Sequence, residues 1–332
     1  MSFKAAAIHA DSVMLDLDGS LKKAAKLATE AAQGGARIVV FPEVFLPGYP
    51  HWCWVKSFSE SAQLAKDYFD QAFIVGGPHQ EKLSAIARDN GIWLIIGANE
   101  RENASLYNTM LFLDPTGKLV GRHRKLLPIG AEKCIWSSGD ARDLISIETE
   151  AGKLGGLICG EHLNDPLRFT QSLLRNKIHA AIWPAISAIP AYAASHGFDE
   201  LSWAATRHHA VSAQAFVINA QGTNSQASLD RMGLGDRPDL IVRGGGRSSI
   251  ISPTGQTLAG PHKGEEEKIL YGDLDLNIFG YTQMMDPEVY SRPDVFHLTV
   301  IPPQPPTIIQ IAPPPLAMGG SGVPVSETEN AQ

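Results

Sequence analysis

The chain reads as an α/β protein in which sheet is covered by helices, and three observations predict it. Its first 42 residues alternate a short apolar run, a helical pattern and a second apolar run, a βαβ unit. Runs such as RIVVF at 37 to 41 and IWLII at 92 to 96 are apolar throughout, as strands buried on both faces are. A strand-turn-strand pattern about a PTG turn, LFLDPTGKLVG, recurs as SSIISPTGQTLAG at 248 to 260, so two halves of the chain look alike.

Taken in order, KAAAIHA is the first strand. Leu17, Leu21, Ala24, Ala25, Ala28, Ala31 and Ala32 then recur at helical steps, closed by Gly34 and Gly35. RIVVF follows as a strand, and helical patterns over about 59 to 72 and 77 to 90 lead to the strand IWLIIGA. SLYNTMLFLDPTGKLVGRHRK reads as a hairpin turning at DPTGK. DLISIETEAGKLGGLIC repeats the pattern about EAGK and leaves Cys159 at the end of a strand. Asn164-Asp165-Pro166 supplies a helix N-cap candidate with proline at the first helical position. HAAIWP is a strand, 199 to 212 a helix and QAFVINA a strand. Residues 301 to 332 hold eight of the 22 prolines and no Lys or Arg, a composition that favours extended, unpacked chain.

The chain has 332 residues, 44% apolar and 19% charged, enough to bury roughly three quarters of its unfolded surface. A formal charge of −7 supplies no basic field for nucleic acid or an anionic membrane. No apolar run approaches the roughly 20 residues of a membrane span. Three cysteines and a start without a long apolar stretch point to a reducing cytoplasm.

Cys159, between strand and helix in GGLICGEHLNDP, is placed to face a cleft and to feel the positive end of the helix, which favours thiolate. The plain alternative is a small buried hydrophobe, the reading given to Cys53 and Cys134. Glu43 stands two residues past an apolar strand, where a carboxylate is costly unless paired or functional. Lys125 ends a hairpin strand in a basic cluster with Arg122, His123 and Arg124. Each of these, alone, reads as an ordinary strand-end charge. The CxxH spacing of Cys159 and His162 could hold zinc, but the chain offers no second such pair and no HExxH, so no metal is expected. The run RGGGRSSI lacks the order of a phosphate loop, and Ser248-Ser249 lacks the serine-amidase continuation. His208 falls on an apolar stripe with Leu201, Ala204, Ala205 and Val211 and is expected in the core or at an interface. Tyr49, Trp54 and Trp183 lie at or just past strand ends and either line a pocket or pack beneath loops.

Together, Glu43, Lys125 and Cys159 give the chain its resemblance to the nitrilase superfamily of carbon-nitrogen hydrolases over about residues 4 to 300. The likeness sits in FPEVFLPGYP, in HRKLLPIGAEKCIW with Lys125 and Glu132, in LICGEHLNDP, and in YSRPDVF at 290 to 296. GAE followed by an aromatic, CxEH and YSRPDV look like the nitrilase branch proper. Nitrilases commonly carry Trp after the nucleophile. Here the residue is Gly160, which bears on pocket shape.

The resemblance implies a four-layer α-β-β-α sandwich of the nitrilase type over residues 1 to 300, with the proline-rich segment 301 to 332 as a tail. It implies that Cys159 attacks a nitrile carbon, Glu43 acts as general base and Lys125 holds opposing charge. Glu132 orients Lys125 or the water. Gly160, His162, Tyr49, Trp54 and Trp183 become candidates for substrate contact. No metal or organic cofactor is required, the partners are a small nitrile and water, and assembly as a homo-oligomer, dimer or spiral filament, is expected. An amide hydrolase of the same superfamily and a catalytically idle scaffold are the alternatives.

Overall fold

The computed structural model describes residues 2–302 other than Pro293, so most of the proline-rich tail, 303 to 332, lies outside the described residues. The βαβ start is present as β1 (Ser2–His9), α1 (Leu17–Gln33) and β2 (Ile38–Val40). Asp16 caps α1 by accepting from the Gly19 N–H at 2.9 Å, and the helix buries Leu17, Leu21, Ala24, Ala28 and Ala31. A short α2 (Trp52–Val55), α3 (Phe58–Asp70) and α4 (Pro78–Asn90) precede β3 (Trp93–Glu102), β4 (Ser105–Leu113) and β5 (Leu119–Arg124). The β4–β5 turn is the predicted one, with Asp114 Oδ1 accepting from the N–H groups of Thr116 and Lys118 and Gly117 in the left-handed region.

The second half runs in the same order. β6 (Leu154–Ile158), α5 (Asp165–Leu173) and β7 (Ile178–Trp183) are followed by α6 (Pro190–His196), α7 (Phe198–Ala213) and β8 (Phe216–Gln221). After α8 (Gln226–Arg231) come the hairpin β9 (Arg247–Ile251) and β10 (Thr257–Lys263), then β11 (Lys268–Asp275). One sheet has the order β11-β1-β2-β3-β4-β5 and the other β10-β9-β8-β7-β6. In each, three parallel strands lead into an antiparallel hairpin.

Strand alternation shows how the layers stack. Ala5, Ala7, Ile38, Val40, Ile95, Met110 and Phe112 join Leu154, Ile158, Ala180, Ile182 and Ile218 in one core between the sheets. Their neighbours Ala6, Ile8, Val39, Leu94, Ile96, Leu111 and Leu113 face the other way, onto Leu21, Ala24 and Ala28 of α1 and Leu83 and Ala87 of α4. With α5 and α7 outside the second sheet, the order of layers is helix, sheet, sheet, helix, and the all-apolar runs are strands buried on both faces.

One expectation fails here, and a second fails in part, the core placement of His208. The stretch 144 to 153 does not form a hairpin with β6. A single bridge joins Ile147 to Leu154, and β6 takes β7 as its parallel partner. Ile145 and Ile147 instead pack over Gly121 of β5, where the absent Cβ leaves room for them. His208 is exposed and touches Arg168; the buried stripe of α7 passes through Ser202, Ala205, Thr206 and His209, one residue on.

Candidate active site

Glu43, Lys125 and Cys159 each stand just beyond a strand end. The chain leaving β2 stays beside β3, with Phe41 N donating to Ile95 O at 2.8 Å and Leu46 N to Gly97 O at 3.1 Å. Gly97 permits this: a Cβ there would lie 2.3 Å from Val44 N and 2.5 Å from Pro42 O. Lys125 follows β5 and is pinned by its N–H to Asn108 O, at 2.8 Å. Cys159 follows β6 and takes φ +50°, a left-handed conformation that a residue with a Cβ rarely adopts, as it opens the 3-10 turn Cys159–Leu163.

These strand ends bring their side chains into one dry cluster. Lys125 Nζ donates to Glu43 Oε1 at 2.9 Å and to both Glu132 oxygens at 2.9 and 2.8 Å. Asn108 Nδ2 donates to Glu43 Oε1 at 2.6 Å. Glu132 also accepts from the Ile129 N–H at 2.9 Å and from the Tyr49 hydroxyl at 2.7 Å. Lys125, Glu43, Glu132 and Cys159 are all buried.

Burial sets the proton affinities. It pushes Glu43 up to about 7, against the pull of Lys125 and with the help of the Glu132 charge. Burial alone would lower Lys125, but the charges of Glu132 and Glu43 hold it well above its ordinary value. Burial and the Glu43 charge raise Cys159 well above an ordinary thiol. The expectation of an exposed, helix-stabilised thiolate is therefore corrected: the side chain is enclosed, α5 begins only at Asp165, and sulfur rests protonated. Such a thiol attacks only if a neighbour takes its proton, and Glu43 Oε2 has no protein partner.

Glu161 binds this cluster together from behind. It accepts from the Leu126 N–H at 2.7 Å and the Ile158 N–H at 2.8 Å and pairs with His123 Nε2 at 2.8 Å, tying the Lys125 strand end to the Cys159 turn. Burial opposes both charges, yet the pair holds Glu161 below and His123 above its usual value.

The candidate substrate contacts separate. His162 Nδ1 lies 3.0 Å from the Cys159 carbonyl and its Nε2 3.0 Å from His179 Nε2, while His179 Nδ1 lies 3.1 Å from His209 Nε2. Burial lowers all three rings, His162 to about 4, so they are neutral near pH 7. A carbonyl can only accept, which orients the chain: His209 donates to His179, His179 to His162, and His162 to Cys159 O. His162 thus props the nucleophile turn, with both nitrogens engaged and its ring stacked on Trp183 at 5.1 Å. Trp183 is fully buried between His162 and Phe198. Tyr49 spends its hydroxyl on Glu132, and Trp54 Nε1 donates to that hydroxyl at 3.0 Å. A Cβ on Gly160 would point at Ile129 Cδ1, 3.2 Å away. Cys53 is half-buried as expected of a packing residue, whereas Cys134 is exposed.

Asn108, Glu161 and His123 were not singled out from sequence as parts of the site. Each left a sequence signal: Asn108 is an amide in the middle of the apolar strand SLYNTMLFL, Glu161 is the acid of CxEH, and His123 stands in the basic cluster with Lys125. A concavity of about 810 Å³ beside α5 and α7 includes none of Glu43, Lys125 and Cys159. Among the described residues no helix is long and apolar enough to cross a membrane, and no group of His, Cys, Asp and Glu is arranged to hold a metal ion.

Replacing Glu161 with Leu strands two backbone N–H groups and the His123 charge, and a buried pair that loses one partner costs about 3–5 kcal/mol. Urea unfolding of Glu161→Leu should show a loss of that size. A loss below about 1 kcal/mol would show that the strand ends are held by other contacts.

The carbon-nitrogen hydrolase family profile matches residues 4–282. An aliphatic nitrilase of Rhodococcus rhodochrous is 36% identical over 301 residues, covering 90% of this chain and 82% of its own. A nitrilase of Talaromyces marneffei is 34% identical, covering 89% of this chain and 94% of its own. In three dimensions, a carbon-nitrogen hydrolase of Helicobacter pylori G27 superimposes with a TM-score of 0.70 at 20% identity, over 89% of this chain and 97% of that one. A family match over most of the chain and relatives above 30% identity make this protein a carbon-nitrogen hydrolase of the nitrilase superfamily.

Proposed function

We propose that the enzyme is a nitrilase that converts an organic nitrile to its carboxylic acid and ammonia through covalent intermediates on Cys159. The observation that carries this reading is the buried Lys125 ammonium between Glu43 and Glu132, beside a protonated thiol. The nitrilase names of its relatives favour nitriles over amides as substrates.

In the first step the thiol proton passes to ionised Glu43 as sulfur bonds to the nitrile carbon, and Glu43 returns it to nitrogen, leaving a thioimidate. Lys125 opposes the negative charge that grows on that nitrogen. A water then adds to the carbon and gives one proton through Glu43 to nitrogen; as the C–N bond breaks, the proton of the new hydroxyl follows by the same route, so ammonia leaves and the thioester carbonyl remains. A second water, deprotonated by Glu43, attacks the thioester; the C–S bond breaks, sulfur recovers the proton and the acid departs.

On a panel of aliphatic, aromatic and arylacetic nitriles with the matching amides, the wild type should release ammonia from nitriles preferentially, and Cys159→Ala should release none. Glu43→Gln and Lys125→Met should each lose about 10²- to 10⁴-fold. Preference for amides would favour the amide-hydrolase alternative, and appreciable turnover by Cys159→Ala would defeat the mechanism.

Gly160→Trp should act through its neighbour. A side chain there must displace Ile129, whose N–H holds Glu132 Oε2. The acid-to-amide product ratio and the accepted range of nitriles should both change, because the balance between expelling ammonia and expelling sulfur depends on the charges around nitrogen. An unchanged product ratio and substrate profile would separate residue 160 from selectivity.

A further inference from the structure

At the C-terminal ends of β1, β2, β7 and β8, the segments 10–12, 42–45, 184–185 and 222–224 enclose a cavity of about 20 Å³. That is room for one water-sized molecule. Glu43 is part of its wall, so the cavity adjoins the reacting cluster without depending on it for shape. Most polar groups of the wall are already engaged. Asp11 accepts from Ser225 and Ser228, the Thr223 hydroxyl donates to Gly264 O at 2.7 Å, and Tyr49 is held by Glu132.

Three wall residues keep a buried polar atom without a protein partner: Glu43 Oε2, His51 Nε2 and Asn224 Nδ2. Their polarities can be assigned. Carboxylate oxygen accepts. With the hydrogen on Nδ1, donated to the Tyr49 carbonyl at 3.1 Å, His51 Nε2 presents a lone pair. Burial lowers this imidazole to about 4, which keeps it neutral near pH 7. Asn224 Nδ2 donates, and its backbone is fixed by paired bonds with Gly244, N to O at 3.0 Å and O to N at 2.8 Å. Two acceptors and one donor match the two O–H groups and a lone pair of one water. An ammonium ion, with no lone pair, leaves the Asn224 donor unanswered.

We propose that this cavity seats the hydrolytic water, bound by His51 and Asn224 and deprotonated by Glu43. The proposal rests on the covalent reading above, and concerns the steps after Cys159 is modified. Water oxygen bonds to the thioimidate or thioester carbon as one of its protons moves to Glu43 Oε2; that proton goes on to the nitrogen or to the departing sulfur, and in the thioimidate step the second water proton follows it to nitrogen as the C–N bond breaks and the carbonyl forms.

The test follows the Cys159 adduct by rapid quench and intact-protein mass, using a small aliphatic nitrile and, separately, p-nitrophenyl acetate, which acylates a thiol directly. His51→Phe and Asn224→Leu should form adducts within about threefold of the wild-type rate and discharge them at least about tenfold more slowly. Hydroxylamine, which needs no activation, should discharge the acetyl adduct of variants and wild type alike. His51→Gln and Asn224→Ser, which keep an acceptor and a donor, should restore discharge; Asn224→Asp, equal in size but without the donor, replaces Asn224→Leu should that variant not fold. Unchanged discharge, or formation and discharge slowing together, would overturn the proposal. A wild type labelled by the ester but not by the nitrile would defeat the nitrile reading while the ester arm still tests the cavity. A wild type labelled by neither would defeat both.

Discussion

The Lys125 ammonium is cut off from bulk solvent: the side chain is fully buried and its hydrogen bonds end on three oxygens of two carboxylates. Taking such charges out of water costs several kcal/mol per ion, recovered only where partners are close and well oriented. Nothing else in the site can be arranged freely once that condition is met. Glu43 and Glu132 must both reach Lys125, and two carboxylates around one ammonium leave excess negative charge. That excess, with burial, raises Glu43 into the range where a carboxyl takes and returns protons near neutral pH, and it keeps the Cys159 thiol protonated until substrate arrives.

The fold meets this condition by converging strand ends. Glu43 and Lys125 follow strands of one sheet, and Cys159 follows β6 of the other, so the inter-sheet core fixes their separation. Gly97 lets the Glu43 segment press against β3, and Glu161 joins the Leu126 and Ile158 backbones across the two sheets. Behind the nucleophile, the oriented chain from His209 through His179 to His162 ends on the carbonyl of the residue with left-handed φ. These supports are buried and hydrogen-bonded, which suits a site whose proton transfers depend on small distances.

Much of this was legible in the sequence because both-face burial leaves strands uninterrupted in their apolar residues, and because Glu43, Lys125 and Cys159 each follow such a run. What was not legible depends on which segments meet. Residues 144 to 149 alternate like a strand, but that alternation serves packing over Gly121 equally well. His208 and His209 are adjacent, and a shift of one residue in the helical stripe separates solvent from core. The thiolate expectation weighed a helix end but not the enclosure of sulfur or the Glu43 charge beside it. Asn108, Glu161, His51 and Asn224 owe their roles to partners tens of residues away or to a cavity wall, neither of which spacing reveals.

The pH dependence of kcat/KM tests the central claim most directly, because it reports ionisation in the free enzyme. Glu43 must be ionised to accept the thiol proton, and burial places its value at about 7, above the ordinary 4.5. The profile should therefore be level above about pH 7 and fall tenfold per unit below it, and Glu43→Gln should lose this limb along with most of its activity. A wild-type acid limb near 4.5 would contradict the account, since it would mean that the attraction of Lys125 fully offsets burial and that Glu43 is too weak a base for the role given to it.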